Sequence, residues 1–229
     1  MILMQTIQIQ GKACHVYGSA GAPFLLVQLV DDHDMQGMEA ELVALSAACR
    51  STFVLAAIPV AAWNDDLSPW PAPPVWGKQG FGGGSADTLD FLLRQLLPVL
   101  KQQFALPGDV HMILGGYSLA GLFALWAATQ SNAFCGVAAA SPSVWFPGWD
   151  AYEAAHPVQT PCVYLSLGNR EELTKNAAMA PVGANIRALY QRLQTRGTRC
   201  TLEWNAGGHF KEPSLRTAKA FAWAMENCQ

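Results

Sequence analysis

Apolar and polar residues alternate along this chain on two length scales. Short runs that are apolar almost throughout recur at 23–30 (PFLLVQLV), 52–60 (TFVLAAIPV), 110–116 (VHMILGG), 134–141 (FCGVAAAS), 161–168 (PCVYLSLG) and 199–204 (RCTLEW). Runs of this length and composition read as strands covered on both faces. Between them lie longer segments at 38–50, 85–104, 119–130, 182–197 and 213–227 that read as helices. Strands alternating with helices predict an α/β fold, a mostly parallel central sheet with helices on both faces, because each parallel step needs a crossover that covers the sheet. The N-terminal MILMQTIQIQGK alternates in the manner of an edge strand, and the first strands are expected to pair antiparallel at one edge.

Two places depart from the rhythm. Pro98 falls inside the segment 85–104 and is expected to kink or divide it, whereas Ser85 and Asp87 suit its N-terminus. Residues 63–84 (WNDDLSPWPAPPVWGKQGFGGG) show neither period and read as a long connection. Long connections of this kind are functional or disordered, and three tryptophans argue against disorder.

Composition narrows the class. At 229 residues the chain fits one α/β domain, 1–229, with a sizeable core. Hydrophobic residues make up 51% and charged ones 14%, with a net charge of −3, which leaves no basic footprint for nucleic acid. The longest apolar run, LAGLFALWAA, is too short for a membrane span, and the N-terminus lacks the charged start and cleavage site of a signal peptide. A cytoplasmic protein with no membrane partner is expected, and the apolar composition is compatible with a homodimer. The cysteines (Cys14, Cys49, Cys135, Cys162, Cys200, Cys228) form no close pair, so neither a zinc site nor a redox motif is suggested; they are expected to be reduced, with Cys135 and Cys162 packing in strands.

The chemistry gathers around ILGGYSLAGLFALWAA, residues 113–128. A buried strand ending in glycines, then Ser118, then a helix apolar on nearly all sides, describes a nucleophile elbow, in which a strained turn lifts the hydroxyl out at the carboxyl edge of the sheet. The G-x-S-x-G pattern is met as G-Y-S-L-A-G, Ala120 taking the last small position. A serine hydroxyl is a weak nucleophile and needs a base, which needs an orienting group. Of the five histidines, His111 lies in a buried strand, His15 in the N-terminal edge region and His156 in a surface loop. His209, in NAGGHF after the last strand, is the candidate base. Glu171 and Glu172 follow the strand LSLG; Glu171 is the first choice of acid, and Glu172 is either its substitute or a cap of the following helix. Serine, acid and histidine then stand in α/β-hydrolase order.

An oxyanion formed on acyl transfer needs backbone N–H donors. Leu119, opening the helix after the serine, is one candidate; Asp32 or His33, in the loop DDHD after the strand LLVQLV, is the other. Carboxylates there oppose negative charge, so Asp31 and Asp34 are expected to point away, to bind a substrate group, or to cap a helix. Trp63, Trp70, Trp76 and Trp145 are candidates for lining a substrate pocket, with a satellite core cluster as the plainer alternative.

GGYSLAGLFALWA, SPSVWF (141–146), NDDLSPW (64–70), GGGSADTLDFLLRQLLP (82–98), LSLGNREE and GGHF together resemble the Putative esterase family of α/β-hydrolases, the group of esterase D and the enterochelin esterase-like enzymes. The resemblance runs from about residue 23 to the C-terminus. It implies an α/β-hydrolase fold with little or no lid domain, and hydrolysis of a small-molecule ester through Ser118 and His209, with Glu171 at the acid position and no cofactor or metal. It departs at Asp65, which stands before Asp66 where the siderophore-hydrolysing relatives tend to carry a basic residue, so the resemblance leaves open whether an anionic, iron-loaded catecholate, a simple ester or another acyl compound is the substrate. Some of those relatives manage with a Ser/His pair. Acyl transfer from the same acyl-enzyme, and ligand binding without catalysis on the hydrolase fold, are the competing readings.

Overall fold

The structure, a computed structural model, describes residues 4–228; the first three residues of the expected N-terminal strand lie outside them. In chain order the elements are β1 (Met4–Ile9), β2 (Lys12–Gly18), β3 (Phe24–Val30), α1 (Asp32–Ala48), β4 (Phe53–Pro59), α2 (Trp63–Asp66), β5 (Pro71–Ala72), β6 (Phe81–Gly82), α3 (Ser85–Phe91), α4 (Leu97–Gln103), β7 (His111–Tyr117), α5 (Leu119–Gln130), β8 (Gly136–Ala140), α6 (Trp149–Ala155), β9 (Cys162–Gly168), α7 (Val182–Thr195), β10 (Arg199–Asn205) and α8 (Pro213–Asn227).

Eight strands form one sheet in the order β1-β2-β4-β3-β7-β8-β9-β10. β1, β2 and β4 pair antiparallel, and every pairing from β4 to β10 is parallel. The β1–β2 hairpin turns through Gln10 and Gly11, both at positive φ, the geometry whose twist matches two-residue hairpins. In β3 the side chains divide by parity: Leu25, Val27 and Leu29 join one core, and Phe24, Leu26 and Val30 the other. That division is what a strand covered on both faces requires. α1 and α8 cover the second face and pack on each other, while α5 is buried from Leu119 to Thr129 inside the first.

Four expectations need correction. The helix expected at 38–50 starts at Asp32, because Asp31 caps it: Asp31 Oδ1 accepts from the Asp34 amide at 2.8 Å and Asp34 Oδ2 accepts from the Asp31 amide at 3.3 Å. The segment 85–104 divides as expected, through a π turn at Leu92–Leu96 that takes up the bond Pro98 cannot make, with Pro98 in the first turn of α4. Ser85 does not cap α3; it is buried in the helix's first turn, and its Oγ has no partner among the described residues. The long segment 63–84 contains α2 and the β5–β6 pair. Cys135 lies just before β8, with its Sγ 3.3 Å from the Met112 carbonyl. All six cysteines are free. No helix of the described residues is long and apolar enough to cross a membrane.

A polar pair is sealed under α1. Gln28 Nε2 donates to Glu41 Oε2 at 3.2 Å, both side chains are buried, and neither Gln28 Oε1 nor Glu41 Oε1 has a partner among the described residues. Burial pushes the Glu41 carboxyl from 4.5 up to about 8; the Gln28 bond opposes the shift and the Asp34 charge adds to it. Folded protein therefore holds a proton that the unfolded chain releases above pH 4.5, so stability falls as pH rises from there to about 8. The slope is at most about 1.4 kcal/mol per pH unit. Glu41→Gln keeps the shape and supplies a donor, and denaturant titrations at pH 5 and pH 8 should show a smaller loss for the variant. An equal loss in both proteins would remove Glu41 as the cause.

Candidate active site

Ser118 follows β7, Asp31 follows β3, Ser141 follows β8, Glu171 comes three residues after β9, and His209 lies in the loop after β10. Parallel pairing puts all these segments at one edge of the sheet. β3 and β7 are neighbours from which the chain winds in opposite directions, and the crevice at such a reversal is where open α/β sheets hold ligands.

The turn at Ser118 is strained, with φ 57° and ψ −117°. Close packing enforces it: a Cβ on Gly116 (φ 158°) would lie 2.6 Å from the Ala120 Cβ, so strand end and helix start approach too closely for a side chain there. The Ser118 amide donates to the Ala140 carbonyl at 3.1 Å, and its carbonyl accepts from the Ser143 amide at 3.0 Å. Its side chain makes no helix cap, which leaves the hydroxyl for His209 Nε2 at 3.0 Å and Ser143 Oγ at 3.3 Å.

His209 Nδ1 is 2.7 Å from Glu171 Oε2. A carboxylate only accepts, so Nδ1 carries the proton and Nε2 is free to accept from the Ser118 hydroxyl. Glu171 Oε1 accepts from the Gly168 amide at 2.7 Å, Ser141 Oγ at 2.9 Å and Arg216 Nη1 at 3.1 Å. Burial raises the Glu171 carboxyl, but His209 and the Gly168 and Ser141 donors outweigh it and hold the group below the usual carboxylate range. It stays a charged acceptor at neutral pH. The adjacent Glu172 faces elsewhere and forms a two-point ion pair with Arg187 on α7, at 2.8 and 2.9 Å, so it neither substitutes for Glu171 nor caps a helix.

A cavity of about 660 Å³ opens over Ser118. Trp63, Trp76, Trp145, Met179, Val182 and Phe210 supply its apolar wall. Trp70 does not line it; its indole donates to the Pro147 carbonyl at 2.9 Å and its ring packs on Phe146 and Tyr152, which makes it part of the core. Asp31, His33 and Asp34 form the polar side, whereas Asp32 is exposed outside the cavity and Leu119 is buried behind the serine. The acidic residues therefore both cap α1 and face the cavity instead of pointing away. Burial pushes the Asp34 carboxyl up to about 7, with the Asp31 charge adding and the Asp31 amide and His209 opposing, so much of its charge is suppressed near neutral pH. Asp65 and Asp66 lie outside the cavity, where the Asp65 and Asp66 carbonyls hold Gly84 and Thr88.

The remaining histidines are elsewhere. His15 Nδ1 meets Thr6 Oγ1 at 3.1 Å, His111 stacks on Phe24, and His156 stacks on Tyr152 at the end of α6. Ser141, Ser143, Tyr117 and Arg216 were not singled out from the sequence. Arg216 had a signal: one charged residue on the stripe of α8 that continues as Ala220 and Ala224.

Known proteins place this architecture. The fold is similar to the siderophore hydrolase EstA from Aspergillus nidulans (19% identity, TM-score 0.77, covering 99% of this chain and 94% of that one). It is also similar to an IroE-like serine hydrolase from Shewanella oneidensis (15% identity, TM-score 0.80, covering 96% and 79%). A third similar structure is the enterobactin hydrolase IroE in complex with DFP (19% identity, TM-score 0.68, covering 99% and 94%). A search of curated protein sequences returns no match. The profile of the family described as Putative esterase matches residues 30–213. That match covers most of the chain, which therefore belongs to the Putative esterase family, on a mixed α/β fold.

Proposed function

We propose that the protein hydrolyses a carboxylic ester of a small molecule through an acyl-enzyme on Ser118, with His209 as base and Glu171 as its orienting acid. The observation that carries this reading is the unbroken path from Ser118 Oγ through His209 to Glu171, at 3.0 and 2.7 Å, beside a cavity. A protein that only binds a ligand has no use for a strained serine aimed at an imidazole.

In the first half-reaction Ser118 Oγ bonds to the ester carbonyl carbon as its proton passes to His209 Nε2. The tetrahedral intermediate collapses, the C–O bond to the alcohol breaks, and the imidazolium returns the proton to the leaving oxygen. Water, deprotonated by the same nitrogen, then attacks the acyl-enzyme, releasing the acid and the serine. The Leu119 amide, opening α5 directly after the nucleophile, and the His33 amide, in the first turn of α1, belong to the backbone donors that helix geometry leaves unused. They are the pair assigned to the developing oxyanion. A partly protonated Asp34 opposes that charge less than an ionised one would.

The tryptophan-lined wall suits an apolar or aromatic acyl or alcohol group. The neighbours named as siderophore hydrolases agree with an ester substrate, and Asp65 stays clear of the cavity. With a p-nitrophenyl ester, stopped-flow traces should show a burst of nitrophenol close to the enzyme concentration, and product analysis with added methanol should show mainly free acid. Mainly methyl ester would favour acyl transfer. No turnover of any ester together with tight ligand binding would favour the non-catalytic reading.

A further inference from the structure

Arg216, on α8, is only 2% exposed, and its side-chain bonds run to groups around Ser118, Glu171 and His209. Its Nη1 donates to Glu171 Oε1, the Tyr117 hydroxyl and Ser141 Oγ, each at 3.1 Å. Its Nη2 donates to the carbonyls of Gly208 at 3.0 Å and Ala206 at 3.3 Å. Tyr117, next to the nucleophile, donates its own hydroxyl to the His209 carbonyl. One guanidinium thus joins the acid, the loop that carries the base, and the strand end that carries the serine.

We propose that Arg216 is a positioning residue, which holds Glu171 and the 206–209 loop in register with Ser118. The inference rests on the esterase reading above. It follows from the planar fork of the guanidinium, which presents donors in fixed directions that a lysine cannot reproduce. Glu171 gives one oxygen to the imidazole and the other to the guanidinium, so the place of the guanidinium sets the place of the carboxylate that orients the base.

The test compares kcat and KM of wild type, Arg216→Met and Arg216→Lys on a p-nitrophenyl ester, with rates divided by the sites titrated with a fluorophosphonate. Arg216→Lys keeps the charge without the fork and should not rescue the loss. Both variants should lose roughly 10–100-fold in kcat with little change in KM, as expected of a misaligned base. A folded Arg216→Met whose per-site kcat matches wild type overturns the proposal. Where the arginine variants do not fold, Tyr117→Phe, which deletes the hydroxyl between Arg216 and the His209 carbonyl, should lower per-site kcat about tenfold; an unchanged kcat there also overturns it. Absence of fluorophosphonate labelling in wild type would instead defeat the esterase reading itself, which separates the two failures.

Discussion

Ser118→Ala should lower kcat on any ester substrate by on the order of 10⁴–10⁶-fold, as loss of the nucleophile does when the serine and histidine act as one unit. The fold should survive. The Ser118 hydroxyl caps no helix and, among the described residues, bonds to His209 Nε2 and Ser143 Oγ, while the backbone bonds to Ala140 and Ser143 stay in place. Alanine in the same positive-φ turn carries the same Cβ as serine, so it adds no new strain. The thermal midpoint of the variant should therefore lie within a few degrees of wild type. A fall in kcat accompanied by a collapse in midpoint would mean that Ser118 serves the fold.

Glu171→Gln should cost on the order of 10²–10⁴-fold in kcat, for a reason that a simple loss of charge does not give. Three donors, the Gly168 amide, Ser141 Oγ and Arg216 Nη1, converge on Oε1, against one on Oε2. A glutamine in this place turns its carbonyl oxygen to the three donors and its NH₂ to His209 Nδ1. Nδ1 must then accept, so the imidazole proton moves to Nε2, where it faces Ser118 and blocks proton transfer from the hydroxyl. Glu171→Asp keeps the charge but shortens the reach, and should retain more activity than the glutamine variant at every pH. If the two variants are equally active, the imidazole is not being held in its tautomer by Glu171, and a Ser/His pair describes the site.

What could be read from the sequence follows from where the physics is local. The strand runs, the helices at 119–130 and 213–227, and the elbow around Ser118 each depend on a few neighbouring residues whose pattern is visible in one dimension. The structure brings Ser118, His209 and Glu171 together from segments up to 91 residues apart because all three follow parallel strands. The errors arise where one local signal has two outlets. The DDHD segment carries loop composition, and only the reciprocal bonds between Asp31 and Asp34 turn it into the start of α1. Trp70 and Trp76 belong to the same tryptophan-rich segment, yet one indole finds the Pro147 carbonyl and the other the cavity, a difference set by chain path alone. Ser141 and Arg216 needed the third dimension altogether, since their importance is the convergence of their donors on one carboxylate oxygen.

If His209 activates Ser118 to attack a carbonyl, a fluorophosphonate captures that serine. Intact-mass spectrometry after incubation with the reagent, on wild type, Ser118→Ala and His209→Ala, reads the capture. A single adduct is expected on wild type, none on Ser118→Ala, and none within the same time on His209→Ala. A well-folded wild type that stays unmodified, or an adduct that persists on Ser118→Ala, would contradict that role for Ser118.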